Sequence, residues 1–451
     1  MAPTAKETEW QPTTAAGVSD GPLCVVRDLE KHYPITRGWL RREVGRVRAV
    51  DGVSFALERG ETLGLVGESG SGKTTVAHAL LGLEEPTAGS VEFDGTLVSE
   101  LSGDAERSFR RRAQLVVQDP DDALDPRMRV GETVAEPLRI HGIDSRPRRE
   151  AIVADVLERV GLAADDAARY PHEFSGGEKQ RISIARALVT NPDLIVADEP
   201  TSALDARVRA DVLDLLDRIR REFDVAILFV SHDLGVVERF CDRVAVMYLG
   251  EFVERGATED VLSSPAHPYT RVLRSSVPSL DPTDRTRGRP LTDTVPAPSD
   301  PPSGCRFHPR CPAVIPSADL DLPAETWREV AAFRFAVEAD ELPPGAVGDG
   351  SRDGGRNGDD DDAVTPSDVR AAVGLREPLP DADAERAVAD AAASLADGDR
   401  ESAGETLDDA FPTVCEREAP TAVERETGGT VACLRHDPTA AASPVADDES
   451  E

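Results

Sequence analysis

The sequence predicts an α/β fold on a largely parallel sheet, followed by an irregular, cysteine-containing C-terminal extension. Short continuous apolar runs (ETLGLV, PDLIVAD, DVAILFVS) alternate with helical apolar spacing in TVAHALLGL and RVRADVLDLLDRIRREF. A glycine-rich loop joins the first of these runs to its helix, the layout of a nucleotide-binding unit. From Pro278 to Ser303 the composition shifts to Pro, Asp, Thr and Arg, which buries too little apolar area to order itself alone.

In chain order, residues 1–20 are polar and read as frayed, and LCVVRDLEKHYPI reads as a first strand ending at Pro34. RAVDGVSFALERGETLGLV alternates apolar and polar residues and turns at Glu58-Arg59-Gly60 before the strand, glycine loop and helix. Helix patterns over about 119–174 (VGETVAEPLRIHG, RREAIVADVLERVGL) predict a helical subdomain between two sheet segments, and the domain that begins near residue 21 should close near 262. Residues 263–312 form an extension containing the linker at 278–303. The stretch 313–411 reads as an acidic, partly disordered insertion: GAVGDGSRDGGRNGDDDDA (345–363) as disordered, PSDVRAAVGL and DADAERAVADAAASLADG as short, weakly amphipathic helices behind capping residues. A short segment at 412–436 carries a second cysteine pair, and 437–451 reads as a disordered tail. No repeat is evident.

The 451 residues carry 51 basic and 85 acidic side chains, a formal charge of −34, with 39% apolar and 4% aromatic residues. Collagen and disulfide-rich miniproteins are excluded. No apolar run approaches the roughly 20 residues that span a bilayer, and MAPTAKETEWQP lacks the features of a signal peptide, so a cytoplasmic chain is expected. The charge repels nucleic acid and anionic lipid, so membrane association is expected to run through protein partners. From Glu341 on, 28 acids face 9 arginines. Only four basic residues are lysines (Lys6, Lys31, Lys73, Lys179), a skew that suits a halophilic cytoplasm and equally a GC-rich genome.

Gly67-Glu68-Ser69-Gly70-Ser71-Gly72-Lys73-Thr74, followed by Thr75, fits G-x-x-x-x-G-K-[ST] between an apolar strand and a helix. Glycines let backbone N–H groups turn around a β-phosphate, the helix N-terminus adds positive potential, Lys73 reaches the β/γ oxygens, and Thr74 offers a hydroxyl to Mg²⁺. Asp198 and Glu199 end the run LIVADE, where Asp198 can hold Mg²⁺ through water and Glu199 can deprotonate the water that attacks the γ-phosphorus. An apolar run before Asp-Glu is also a common helix N-cap pattern. His232, after VAILFVS, sits at the carboxyl end of the sheet, where α/β ligand sites lie; a lone histidine there is as readily structural.

Phe174-Ser175-Gly176-Gly177-Glu178-Lys179-Gln180-Arg181 makes the chain resemble the ATP-binding cassette (ABC) ATPases. The resemblance implies a P-loop ABC ATPase fold: a RecA-like core sheet with an antiparallel β subdomain and a helical subdomain. It implies that Ser175, Gly176, Gly177 and Glu178 bind the γ-phosphate held by an opposite subunit, that Gln118 senses Mg²⁺ and the attacking water, that Asp205 contacts the partner, that His232 reaches the γ-phosphate, and that Tyr33 stacks on adenine across an insertion of eleven or so residues. Phe174 stands where leucine is more usual. QDPDDALDPRMRVGETVAEPL, SPAHPYTRVLRSSVP and PAPSDPPSGCRFHPRCP look like dipeptide/oligopeptide importer ATPases, and KHYPITRGWLRREVGRVRAVDGVSF looks most like the second ATPase subunit of such importers. That implies a peripheral protein on the cytoplasmic face of the membrane, two transmembrane permease subunits, a second ATPase subunit in a homo- or heterodimer, an extracytoplasmic solute-binding protein, and no nucleic-acid partner.

Cys24 and Cys241 lie in apolar surroundings and read as core. In the related importers a region after GC-x-FHPRCP supplies four cysteines that can hold an iron–sulfur cluster. Cys305 and Cys311 match its first pair, and Cys415 with Cys433 matches its last, displaced by the insertion. Four thiolates suit a [4Fe–4S] cluster or tetrahedral Zn²⁺, and free thiols follow if the acidic insertion keeps the halves apart.

The function expected is ATP hydrolysis energising import of dipeptides, oligopeptides or related small solutes. A soluble repair or translation ATPase is the competing class. No long heptad insertion fits between 75 and 174, and only one glycine loop is present. A regulatory, non-catalytic cassette is disfavoured by Lys73, Asp198, Glu199 and His232, and nickel or another solute remains open as cargo.

Overall fold

The computed structural model describes residues 21–39, 41–276, 290–320, 322–343, 346–348, 364–375 and 378–437. The expectations for residues 1–20, the start of the linker, the acidic stretch at 349–363 and the tail lie outside them. The chain divides into two compact units, one closing at Ser264 and the other opening at Pro265.

In the first unit β1 (Cys24–Arg37) and β2 (Arg42–Leu57) form a long antiparallel hairpin. The strand β3 (Thr62–Val66) leads through the glycine loop into α1 (Lys73–Leu80). With β4 (Ala88–Phe93) and β5 (Thr96–Leu97) the hairpin completes a four-stranded sheet in the order β2-β1-β4-β5. The first strand does not stop at Pro34 as the sequence suggests. Its register with β4 ends at Glu30↔Ala88, and beyond that only β2 pairs with it. A residue without an N–H is tolerated on such an edge.

After α2 (Gly103–Arg112) and β6 (Ala113–Val116), the helices α3 (Pro120–Ala123), α4 (Val130–Ile140) and α5 (Arg146–Arg159) make the helical subdomain. Then α6 (Gly176–Leu188), β7 (Leu194–Asp198), α7 (Ala206–Phe223), β8 (Ala226–Ser231), α8 (Leu234–Phe240), β9 (Arg243–Tyr248), β10 (Glu251–Ala257) and α9 (Thr258–Ser263) rebuild the sheet. β6, β7, β8, β3 and β9 run parallel side by side, with β10 antiparallel on β9. Every residue of β3, β7 and β8 is buried, as expected of strands covered on both faces. Because these strands are parallel, the loops after β3, β6, β7 and β8 all emerge at one edge.

The second unit begins with α10 (Pro268–Ser275). It continues through α11 (Ala324–Glu338), α12 (Pro366–Ala372), α13 (Ala382–Ala396), α14 (Arg400–Ala410) and α15 (Val414–Arg417) to a small hairpin, β11 (Ala422–Glu424) and β12 (Thr430–Ala432). The acidic insertion has more order than its composition suggests. α13 packs on α12 and α14, and α11 on α14, with Trp327, Val330, Phe335, Val388, Leu395, Leu407 and Phe411 buried. Ala346 is buried and the Gly348 N–H donates to the Leu395 carbonyl (2.9 Å), so residues 346–348, read as disordered, pack at the end of α13. The insertion leaves and returns at one point: Pro316 and Thr413 form an antiparallel bridge, with Ser317 N–H to Pro412 O (3.1 Å) and Val414 N–H to Ile315 O (3.0 Å) beside it.

Candidate functional site

The glycine loop wraps the Lys73 side chain. Its Nζ donates to Gly67 O and Glu68 O (both 2.8 Å) and to Ser71 Oγ (3.3 Å). Two glycines are required sterically. Gly67 (φ 156°) would place a Cβ 2.1 Å from Met247 O, and Gly72 (φ 106°) one 2.0 Å from Ala49 O. Burial pushes the Lys73 ammonium down from its ordinary range, against the opposing pull of Glu199, Asp198 and Glu68. Ser69, Gly70 and Thr74 are exposed and Thr75 is half-buried at the start of α1, so the loop opens to solvent there.

Thr74 Oγ1 donates to Asp198 Oδ1 (3.3 Å). Burial pushes the Asp198 carboxyl up, the Thr74 hydrogen bond draws it down and Glu199 adds to the rise. The hydroxyl and carboxylate read as Mg²⁺ groups thus adjoin, and this hard-oxygen donor set fits the ion. Glu199 is the hub of the remainder. Gln118 Nε2 donates to its Oε2 (3.2 Å) and to Ser202 Oγ (3.4 Å), and His232 Nδ1 lies 3.0 Å from the same Oε2. Glu199 has φ 45°, a left-handed conformation uncommon for a residue with a side chain. Its N–H is held by Val230 O (3.0 Å) and its carbonyl accepts from Ser202 N–H (3.2 Å). Neither the strain nor Ser202 is signalled by the pattern LIVADE.

Ser175 is the N-cap of α6 in a capping box with Glu178: Ser175 N–H donates to Glu178 Oε2 (2.8 Å) and Glu178 N–H to Ser175 Oγ (3.4 Å). The Ser175 hydrogen bonds hold the Glu178 carboxyl below its usual range. Ser175 and Gly176 are exposed, a Cβ on Gly176 would meet nothing within 4 Å, and Gly177 abuts Val208. The start of α6 therefore presents free amide donors to solvent. Asp205 caps α7 by accepting from Arg207 N–H (3.1 Å) and Val208 N–H (3.0 Å). Tyr33 is half-buried on β1 opposite Val47, under Lys31 Nζ at 5.1 Å; two residues beyond Val47, Ala49 offers the carbonyl that abuts Gly72. The residues inserted after Tyr33 form the far end of the β1–β2 hairpin.

This layout agrees with the family models that match the chain. Residues 50–202 match the ABC transporter model, 253–317 the oligopeptide/dipeptide transporter C-terminal region, and 324–428 a domain of unknown function, DUF8228. A Brucella ovis protein described as a peptide import ATP-binding protein is 48% identical over 318 residues, 70% of this chain and 98% of that one. The chain belongs to the ABC transporter ATP-binding proteins of the oligopeptide/dipeptide transporter family. The oligopeptide transport ATP-binding protein AppF of Bacillus subtilis is 45% identical to this ATP-binding subunit, over 69% of it and 95% of AppF. A solved bacterial ABC transporter cassette, MJ0796, aligns with 52% of the subunit and 98% of its own chain at 29% identity and TM-score 0.47. The subunit is an ATPase; members of its family bind ATP with Mg²⁺, and an importer ATP-binding subunit implies permease partners. No helix among the described residues is long and apolar enough to cross a membrane.

In the second unit His267 caps α10, its Nδ1 accepting from Tyr269 N–H (3.0 Å), and it is buried against Phe307; the family's His-Pro-Tyr segment is thus a helix start. The two cysteine pairs do meet. Cys305 N–H donates to Cys415 O (2.8 Å), and a Cβ on Gly304 would lie 2.3 Å from that carbonyl. Burial raises the Cys311 thiol, and Cys415, Cys305 and Cys433 all add to the rise. Arg334 of α11, 5% exposed, donates to Phe411 O (2.8 Å), Asp408 Oδ1 (2.8 Å) and both oxygens of Glu416, next to Cys415. Neither Arg334 nor Glu416 stands out in the sequence, because an Arg and a Glu so far apart carry no local signal.

Proposed function

We propose that this subunit powers uptake of dipeptides, oligopeptides or related small solutes, and that each turnover hydrolyses ATP at a site shared between two cassettes. The observation that carries the catalytic part is the convergence of Gln118 and His232 on the Glu199 carboxylate, beside the Thr74–Asp198 pair. Lys73 leaves its loop carbonyls for the β/γ-phosphates, which neutralise it better than dipoles do. Thr74, Asp198 and Gln118 would hold Mg²⁺, which when bound offsets charge on the phosphate oxygens. Glu199 accepts the proton of the attacking water, Gln118 orients that water, and His232 contacts the γ-phosphate. Tyr33 stacks on adenine. The exposed start of α6, with Ser175, Gly176, Gly177 and Glu178, closes over the γ-phosphate of the opposing cassette, and Asp205 contacts that cassette.

Closing needs both γ-phosphates, so hydrolysis releases the clamp and lets the permeases switch access. The permeases dock near Gln118 to Arg129, between the sheet and the helical subdomain, and hold the subunit on the cytoplasmic face of the membrane. A solute-binding protein selects the cargo. The test is purification of the tagged subunit from native membranes with mass spectrometry of its companions. Two polytopic permeases, a sibling ATPase and a solute-binding protein are expected; ribosomes or repair factors without a permease would overturn the reading.

The same proposal places a [4Fe–4S] cluster on Cys305, Cys311, Cys415 and Cys433. It rests on the four-cysteine pattern and on the backbone that joins the two pairs, Cys305 N–H donating to Cys415 O; four thiolates also suit tetrahedral Zn²⁺. When bound, the cluster supplies a four-point cross-link.

A further inference from the structure

We propose that the far end of the β1–β2 hairpin contacts anionic lipid headgroups at the membrane surface. Arg37, Arg41, Arg42, Arg46 and Arg48 stand there against Glu43, a local +4 in a chain of −34, and all five arginines are exposed. Arg46 pairs with Glu43 (2.5 Å) and Arg48 with Asp51 (3.5 Å), while Arg37, Arg41 and Arg42 have no ion-pair partner among the described residues. Arg41 N–H closes the turn on Gly38 O (3.1 Å), and Trp39 projects from it 91% exposed. Ile35 and Val44 are exposed on the same ribbon. These three are half of the six large apolar side chains exposed among the described residues. Charge and apolar exposure therefore coincide on one projecting element.

Net charge alone argues against a membrane-binding patch. Its distribution reverses that argument locally, because a repelled acidic body leaves the basic arm as the part that approaches an anionic leaflet. An indole settles at headgroup level and arginines pair with lipid phosphates. A protein partner would need carboxylates at matching fixed positions, whereas unpaired arginines around a protruding indole suit a fluid surface. This contact is separate from permease docking, and its test uses the isolated subunit, so its failure leaves the transport reading intact.

The test is flotation of the full chain with phosphatidylglycerol or phosphatidylcholine vesicles across a salt series. Flotation is expected with the anionic vesicles only, falling as salt rises. Arg41→Gln and Arg42→Gln should each weaken it about fivefold, and Trp39→Ala should weaken it further, all with unchanged ATP hydrolysis as the check on folding. Equal flotation with both lipids, or undiminished flotation of a variant combining Trp39→Ala, Arg41→Gln and Arg42→Gln, would overturn the proposal. So would a hairpin that binds detergent-solubilised permeases and no vesicle, which would make it a protein contact.

Discussion

Asp198, Glu199 and His232 stand at or one residue past the ends of the strands that carry them, and the sheet order brings them together. Cys305 and Cys415 meet in another way: the chain between them departs and returns at the Pro316–Thr413 bridge. The first site is assembled by parallel strands whose local patterns announce it. The second depends on a helical insertion closing on itself, latched by Arg334 to the residue beside Cys415. A site of the first kind should fail by losing chemistry while the fold survives, and a site of the second kind by losing structure.

A large effect is expected at Lys73. Lys73→Ala should lower ATP hydrolysis on the order of 10²–10³-fold with an unchanged thermal unfolding profile; a matching loss of stability would erase the contrast. Next, Cys311→Ser should abolish bound iron and sulfide, measured on protein purified without oxygen, and leave ATP affinity within about twofold. Iron content equal to the parent would remove the cluster from the account.

The glycine loop and the carboxylate pair were legible in the sequence because each is a short segment with a local geometric reason, glycines where backbone crowds and acids ending a buried strand, whereas Gln118, Ser175, Asp205 and Tyr33 came only from the resemblance. The left-handed Glu199 was not legible, since it is held by Val230 O on β8 and by the turn to Ser202, neither of which the pattern LIVADE signals. In the second unit the family resemblance suggested the pairing, but the order of the insertion did not show. α11 carries Trp327, Phe333 and Phe335 around a buried Arg334, so it lacks a clean apolar stripe. Its stability comes from partners distant in sequence. The basic hairpin was masked by averaging charge over the whole chain.

Two smaller effects sharpen the contrast. Arg334→Met removes the partner of the half-buried Glu416, whose carboxyl burial raises but Arg334 brings below its usual range. It should destabilise the second unit by about 3 kcal/mol, seen as a separate early melting transition, with ATP hydrolysis unchanged. Because the Glu416 value is depressed, its contribution is present above the unfolded carboxylate's value of ~4.3 and is lost as pH falls through the folded one. His267 acts only as the pH falls below neutral. Burial, with help from His436 and Arg271, pushes it down to about 3, so it stays neutral when folded while an unfolded histidine protonates near ~6.5. Stability of the second unit should therefore fall by up to about 1.4 kcal/mol per pH unit as pH drops from roughly 6.5 towards the folded value. Urea midpoints at high and low ends of that window check it, and His267→Asn, which keeps a capping oxygen, should flatten the slope.

The most direct test of the central claim, that Glu199 is the hydrolytic hub of a site shared by two cassettes, is single-turnover ATP hydrolysis by Glu199→Gln in the assembled transporter, with nucleotide retention measured alongside. ATP bound and held in a closed pair of cassettes, with hydrolysis slowed on the order of 10²–10⁴-fold, is the result predicted. Near-normal turnover, or failure to bind ATP at all, would contradict it.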